Sequence, residues 1–258
     1  MKSSKTFTSI MMGAALLALA ACGGGGGSSN GSGVKPPVKE PLIPEEERQA
    51  DEGYYQAELK LLNSKFIEHS TNGNIVITIT GDDVVVKGRV VGTLAGVKHR
   101  QQIRVMENCP GDDKDLNGDG YLDANEILPV SGKVLIPLDM DLSEQVSGMN
   151  YGPIANQAGV YVYKRSTSLS RLTADLQDLD PDKQDELVKL RPGQDLNLAD
   201  RHIVIFGVAA ETKLPATVGA SGDLSPEESL PIACGELERI TADEAAAIPV
   251  DRPSVETL

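Results

Sequence analysis

Residues 74–94, NIVITITGDDVVVKGRVVGTL, decide the fold class of this 258-residue chain. Ile75, Ile77 and Ile79 recur at every second position before Gly81-Asp82-Asp83, and a second apolar run begins immediately after that triplet. Side chains with a period of two lie on one face of a β-strand, and a short Gly and Asp segment between two such runs is typical of a hairpin turn. The stretch therefore predicts two adjacent antiparallel strands.

Strand patterns of the same kind recur along the rest of the chain. Together with the hairpin they give about eight short strands separated by turn residues, which is typical of an antiparallel sandwich or barrel. We therefore predict a mainly β fold with Greek-key connections. The further strands are predicted at 54–63, 101–106, 133–140, 159–166, 201–209 and 229–237.

One helical crossover between strands is predicted over Ser170–Leu190. Asp180 is positioned to cap a turn with Pro181 at its first position, and Leu187 and Leu190 share one helical face. Nothing in this segment indicates catalysis.

The stretch DLNGDGYLDANE, Asp115–Glu126, fits the twelve-residue calcium loop at every position. Calcium takes six to eight oxygen ligands, so such a loop presents oxygens at fixed steps around a sharp turn, here at Gly120. An acidic surface turn is the alternative interpretation, because Asp, Asn and Gly are also common turn formers. The number of coincident matches favours calcium. The predicted ligands are Asp115, Asn117, Asp119, the Tyr121 carbonyl, Asp123, and Glu126 as the bidentate ligand at position twelve.

The sequence on either side of this loop does not resemble a sensor EF-hand. A sensor needs an amphipathic helix on each side, because its switch is a change of interhelical angle. Pro110 and Gly111 disfavour an entering helix, and Pro129 is expected to end any helix within a turn of Glu126. We therefore predict a single structural calcium clip inserted in another fold.

The N-terminus has the pattern of a secretory signal peptide. Lys2 and Lys5 precede an apolar run that ends at Cys22. Leu19-Ala20-Ala21-Cys22 resembles the bacterial lipobox, which implies cleavage before Cys22 and lipid attachment to that residue. Gly23, in place of Asp, resembles lipoproteins sorted to the outer membrane. A soluble periplasmic protein is the alternative.

The chain divides into one folded domain and flanking segments without a core. Removal of residues 1–21 would leave 22 Lys and Arg against 38 Asp and Glu, a formal charge of −16. Nucleic acid and anionic lipid surfaces are poor partners for so acidic a protein. The predicted parts are a signal peptide (1–21), a lipidated Cys with a Gly/Ser-rich and then Pro-rich tether (22–44), a β domain (45–240), and a short helix with a tail (241–258) that we expect to be disordered from Pro249 onward.

Three cysteines suggest one disulfide. With Cys22 assigned to lipid, Cys109 and Cys234 remain as a pair in an oxidising compartment. We therefore predict a Cys109–Cys234 bond, which would attach the segment before the calcium loop to the last strand.

The order of motifs resembles the chordin-type (CHRD) domain, which is similar in fold to copper-zinc superoxide dismutase. YYQAELKLLN, the hairpin, GTLAGVKHRQQIRV, RHIVIFGVA and LPIACGEL carry this resemblance over residues 54–239. In the dismutase fold a disulfide joins a long loop to a cysteine beside a glycine near the C-terminus, as Cys109 and Cys234-Gly235 would here. Related secreted proteins also have a Cys-Pro and a calcium loop after the histidine-bearing strand.

The chain departs from this family at the metal ligands. Where relatives carry a His-x-Gln-His-x-His run, only His99 is present, and Phe206 occupies the place of a later histidine ligand. A dismutase-type site needs several imidazoles on copper and on zinc, and the chain has three histidines. A mononuclear site would require all three to converge. Otherwise we expect His69 in a polar turn, His99 on the surface and His202 on a strand face.

The leading functional hypothesis is a non-enzymatic, lipid-anchored bacterial envelope protein with one structural calcium ion and an unidentified binding partner. The alternative is a dismutase-like copper- or zinc-binding protein or metalloenzyme that retains His99. A polysaccharide-binding sandwich is disfavoured because the chain has three Phe and no Trp, although Tyr151, Tyr161 and Tyr163 are candidate sugar platforms. No nucleophile motif or phosphate-binding glycine loop is present in the sequence.

Overall fold

The computed structural model describes residues 51–65, 70–142, 152–178 and 187–250. The predicted signal peptide, Cys22 and the tether lie outside these residues, as do His69, Tyr151 and the tail 251–258. The described strands are β1 Gly53–Leu61, β2 Asn72–Thr80, β3 Asp83–Val91, β4 Arg100–Arg104, β5 Val134–Pro137, β6 Tyr161–Ser168, β7 His202–Phe206 and β8 Pro231–Ile240. The helices are α1 Ala124–Ser131, α2 Leu169–Asp178, α3 Pro226–Ser229 and α4 Ala242–Ala247, with 3-10 turns at Asp112–Lys114 and Leu198–Asp200.

The eight strands form one antiparallel sheet in the order β5-β4-β7-β8-β1-β2-β3-β6. All eight predicted strands are present. Thr80 pairs with Asp83 across the two-residue turn Gly81-Asp82, and Gly81 has the positive φ of 58° that such a turn favours. The predicted hairpin is therefore confirmed.

The sheet is curled, so that its two edge strands approach one another. The Tyr163 hydroxyl on β6 donates a hydrogen bond to the Asp139 carbonyl just after β5, at 2.8 Å. The Tyr161 hydroxyl, also on β6, donates to the Gln101 side chain on β4 at 3.2 Å. The connections β3–β4 and β6–β7 both pass from one half of the sheet to the other. The predicted mainly β, antiparallel Greek-key fold is confirmed.

The main core lies inside this curve and follows the period-two pattern. On β1, Tyr55, Ala57 and Leu59 are buried inside, whereas Glu58 and Lys60 between and beside them are exposed. On β4 and β7, by contrast, every residue is buried, because their outer faces are covered as well. The inner residues of the other strands include Ile75, Ile77, Ile79, Val84, Val86, Ile103, Ile203 and Ile205.

A second, smaller hydrophobic cluster covers the outer face of β7 and β8, and we call it the outer cluster. It consists of Leu62, Leu122, Ile127, Val204, Phe206 and Cys234, with Cys109 packed against it. Leu122 comes from the predicted calcium loop and Ile127 from α1, so the inserted segment contributes its own apolar residues to the sheet. This packing fixes where the candidate site lies.

The predicted crossover helix is only partly correct. Helix α2 is described from Leu169 to Asp178, whereas Leu187 and Leu190 are not helical. Leu187 instead forms an isolated parallel bridge with Val134, and the Leu190 N–H donates to the Leu176 carbonyl at 3.0 Å. Backbone pairing with β5 therefore overrides the helical spacing of these two leucines. Asp180 and Pro181 lie outside the described residues.

The expectation that Pro129 ends the helix after the loop is wrong. Helix α1 continues through Pro129 to Ser131 and is closed by Gly132, which has a φ of 69°. Proline fixes φ near the helical value, and it removes only the one helix hydrogen bond that its missing N–H would make to the Asn125 carbonyl. Here only two helical residues follow Pro129, and Pro129 itself is exposed.

The predicted C-terminal helix is present as α4. The Thr241 side chain accepts from the Glu244 N–H, and the Glu244 carboxylate accepts from the Thr241 N–H, which completes the capping box. The predicted boundary of the disordered tail, Pro249, is placed too early, because Val250 is buried with only 4% of its surface exposed.

Candidate calcium site

The acidic loop Asp115–Glu126 is attached to the sheet at both ends. Before it, Cys109 forms a disulfide with Cys234 on β8, with a Cα–Cα distance of 5.8 Å, so the predicted bond is present. A single 3-10 turn, Asp112–Lys114, leads into the loop, as the absence of an entering helix predicts. After the loop, α1 places Ile127 in the outer cluster. The loop therefore lies on the outer face of the β7–β8 half of the sheet.

The first half of the loop is folded by its own side-chain oxygens. Asp115 accepts hydrogen bonds from the N–H groups of Gly118 and Gly120, both at 2.8 Å. Asn117 Oδ1 accepts from the Asp119 N–H at 2.8 Å. Gly118 and Gly120 have φ of 73° and 91°, values that favour glycine. Carboxylate and amide oxygens are thus turned toward the inside of a tight turn.

The second half of the loop is closed by Asp123 and Glu126, which form the capping box of α1. Glu126 Oε1 accepts from the N–H groups of Leu116 at 2.7 Å and Asn117 at 3.1 Å, and Oε2 accepts from Asp123 at 3.1 Å. Asp123 and Glu126 are only 3% and 6% exposed. Both carboxylates are therefore held in place at the base of the loop by backbone N–H groups.

The loop carries four carboxylates without a basic partner. Within the described residues, no Lys or Arg nitrogen lies within 4 Å of Asp115, Asp119, Asp123 or Glu126, and the nearby ion pair Lys114–Asp113 lies outside the loop. Burial opposes ionisation of Asp119, but hydrogen bonds from the Thr217 side chain, the Tyr121 N–H and Asn117 outweigh it and lower its pKa. Closely spaced anions repel each other, and a bound cation would remove that repulsion.

The donor set of this loop fits calcium in its chemistry. The six predicted ligands supply hard oxygen donors within twelve consecutive residues, and four of them are anionic. In the described part of the chain, no three His, Cys, Asp or Glu side chains converge into a preformed metal cluster. Bidentate ligation by Glu126 would require its Oε1 to release the N–H groups of Leu116 and Asn117.

Three residues distant in sequence hold the loop, and sequence reasoning missed all of them. The Asn63 side-chain amide bonds both backbone groups of Leu122. On the other side, the Thr217 carbonyl accepts from Asn117 Nδ2 at 3.3 Å, and the Gly219 N–H donates to Asp123 Oδ2. A Cβ on Gly219 would lie 2.0 Å from Asn125 Nδ2, so a larger residue there would require the exposed Asn125 side chain to move. No local pattern in the sequence signals these contacts.

The two described histidines are buried and lie apart. The prediction that His99 is on the surface is wrong, because both His99 and His202 are 0% exposed, the latter on a strand face as predicted. His99 Nδ1 contacts the Phe206 carbonyl at 3.2 Å, at the far end of β7 from His202, whose Nδ1 contacts the Met106 carbonyl at 2.7 Å. Four residues of extended strand separate the two ends by about 13 Å. A site formed by all three imidazoles is incompatible with this arrangement.

Other aromatic residues singled out by sequence are also part of the packing. Phe206, at the position of a family metal ligand, is 0% exposed, and the Arg100 and Arg104 guanidinium carbons lie 4.6 and 5.6 Å from its ring centroid. Tyr161 and Tyr163 are 4% and 3% exposed. Neither tyrosine can serve as an exposed platform for a sugar.

The chain was compared with family models, curated proteins and solved structures. No family model and no curated protein matches the chain. Among solved structures, the chain is similar to a double mutant of a SOD-like protein from Bacillus subtilis, with 13% identity and a TM-score of 0.37, covering 71% of this chain and 96% of that one. The fold described above is established by the pairings of its own strands. None of the described helices is long and apolar enough to cross a membrane.

Proposed function

We propose that this protein is a non-enzymatic, lipid-anchored bacterial envelope protein whose CHRD-like β domain binds one calcium ion in the EF-hand-type loop Asp115–Glu126. The observation that carries the proposal is the set of four loop carboxylates with no basic partner among the described residues. Calcium would neutralise this charge and act as a structural clip. Its proposed ligands are Asp115, Asn117, Asp119, the Tyr121 carbonyl, Asp123 and Glu126.

A structural role is favoured over a switch by what flanks the loop. A single 3-10 turn precedes it, and α1 has only eight residues. A sensor changes the angle between two longer helices, and this segment has no such pair. The disulfide and the outer cluster further attach the loop to the sheet. Calcium would therefore stabilise the folded domain by mass action, which amounts to about 2.7 kcal/mol at a concentration one hundred times the dissociation constant.

Elemental analysis by mass spectrometry tests the proposal against its alternative. The mature chain, exported to an oxidising compartment and purified without chelator, is expected to retain about one calcium and no transition metal. Stoichiometric copper or zinc that is lost in His99→Ala would instead support the dismutase-like alternative. The separation of His99 from His202 is the structural reason to favour calcium.

Glu126→Gln is expected to weaken calcium binding by about 100-fold, because it removes one anionic charge and the bidentate carboxylate from the proposed site. Glutamine can preserve the capping box with Asp123, so helix α1 should be retained. Isothermal titration calorimetry measures the affinity. Glu107→Gln is the matched control, since it removes the same charge from an exposed position outside the loop. Equal affinities for the two variants would refute the loop assignment.

Lipid attachment to Cys22 is proposed from the lipobox-like sequence alone, as is sorting to the outer membrane. Cys22→Ala is expected to move the protein from the membrane fraction to the soluble fraction and to abolish labelling by a palmitate analogue. Ser28→Ala, a substitution in the predicted tether that leaves the disulfide intact, should leave both properties unchanged. The wild type should have a negligible soluble fraction. If Cys22→Ala also remains in the membrane fraction, the anchor lies elsewhere.

A further inference from the structure

Leu122 is the residue of the acidic loop whose backbone groups are both bonded by a side chain from outside the loop. It lies between two proposed ligands, Tyr121 and Asp123, and is 1% exposed. A buried backbone N–H and C=O must both find partners. Both are supplied by one side chain, since the Leu122 N–H donates to Asn63 Oδ1 at 2.7 Å and Asn63 Nδ2 donates to the Leu122 carbonyl at 3.0 Å.

Asn63 is itself rigidly held where β1 ends. It is 3% exposed, and its Nδ2 also donates to the Pro231 carbonyl at the start of β8, at 2.9 Å. Its φ of 55° lies in the left-handed region, which asparagine tolerates better than most residues. A planar amide presents a donor and an acceptor side by side, so it can pair with a peptide group as a neighbouring strand would.

The side chains reinforce the same attachment. Leu62, which precedes Asn63, and Leu122 both belong to the outer cluster, and the Leu62 N–H donates to the Ile232 carbonyl at 2.9 Å. The backbone and the side chain of Leu122 are therefore both fixed to the region where β1 meets β8. The neighbouring proposed ligands, Tyr121 and Asp123, are therefore fixed in place as well.

We propose that Asn63 is the positioning residue of the calcium loop, whose Leu122 segment it fixes against the sheet before the ion arrives. This inference rests on the proposed function. A loop that is fixed at Leu122 in advance loses less conformational entropy when it binds, whereas a loop released at Leu122 must also order that segment at that moment. Asn63 thereby raises calcium affinity without contacting the ion, and a single loop needs no second calcium-binding hand to support it.

The test compares Asn63→Gly with Asn197→Gly in the full chain. Glycine adopts the left-handed conformation without strain, so each substitution removes only the amide. Asn197 is the matched control because it has a φ of 52° and its amide bonds Asp200, away from the loop. We expect Asn63→Gly to weaken calcium binding about tenfold by calorimetry and Asn197→Gly to leave it unchanged. Equal affinities of wild type and Asn63→Gly would overturn the inference while the proposed function stands.

Two further outcomes separate this inference from its premise. If the wild type binds no calcium, the proposed function fails and the inference fails with it. If Asn63→Gly does not fold, amide hydrogen exchange of the calcium-free wild type decides the matter. The Leu122 N–H should then be strongly protected relative to the N–H of Gly118, which is exposed and donates to Asp115. Rapid exchange at Leu122 would show that the loop is not held before the ion binds.

Discussion

Loss of the Cys109–Cys234 disulfide is expected to lower the free energy of unfolding by about 5 kcal/mol, which approaches the whole stability of many domains. The bond joins residues 125 apart, and the entropy that a cross-link removes from the unfolded chain grows with the length of the closed loop. Urea unfolding of Cys109→Ala/Cys234→Ala at fixed calcium concentration measures the loss. Alanine is preferred because Cys234 is 2% exposed and a serine hydroxyl there would be buried in the outer cluster.

The control for this measurement uses the remaining cysteine. Both proteins are compared in a Cys22→Ala background, so that neither lipid nor a spare thiol contributes. A difference below about 1 kcal/mol would mean that the unfolded chain is already compact or that the native bond is strained, since both effects reduce the gain from a cross-link.

Acid is expected to destabilise the protein through His99 and His202. Burial lowers the pKa of each imidazole from 6.5 to about 4, although the carbonyls of Phe206 and Met106 oppose the shift. Between pH 6.5 and 4 the unfolded chain therefore binds protons that the folded chain does not. The contribution is fully present above pH 6.5 and is lost as pH falls toward 4, at a cost of roughly 3 kcal/mol for each histidine.

The free energy of unfolding measured in urea from pH 7.5 to 4 tests this expectation. His99→Gln and His202→Gln should each reduce the slope of the free energy of unfolding against pH. The reduction corresponds to up to one proton fewer taken up on unfolding, because glutamine does not titrate. His69→Gln serves as the matched control, since the sequence places His69 in a polar turn and predicts no effect on the slope. Imidazole pKa values near 6.5 by NMR for both His99 and His202 would contradict the prediction.

The buried histidines show why chemistry could not be read from residue types alone. His99 lies between Lys98 and Arg100, and that context predicts exposure. In the structure the strand alternation turns His99 inward, where its ring stacks on Tyr161 with centroids 5.6 Å apart. Arg100 turns outward but is also buried, with its guanidinium over Phe206. Both faces of β4 are covered, so charge in the sequence does not indicate exposure there.

The helices show a similar limit. Leu187 and Leu190 have helical spacing, but residue 187 pairs with β5 instead. Pro129 was expected to end a helix, but α1 continues for two residues beyond it. The spacing of the two leucines is a weak local preference, and a tertiary contact overrides it.

The eight strands, the pairing of Cys109 with Cys234 and the oxygen-rich chemistry of Asp115–Glu126 could all be predicted from the sequence. These features depend on spacing within a few residues or on the count of one residue type. The folded structure was needed to show that the acidic loop covers the outer face of the sheet, that Asn63 and Gly219 hold it, and that His99 and His202 lie apart. Those contacts join residues 59 to 107 positions apart, and the order of strands in the folded sheet, not local spacing, brings them together.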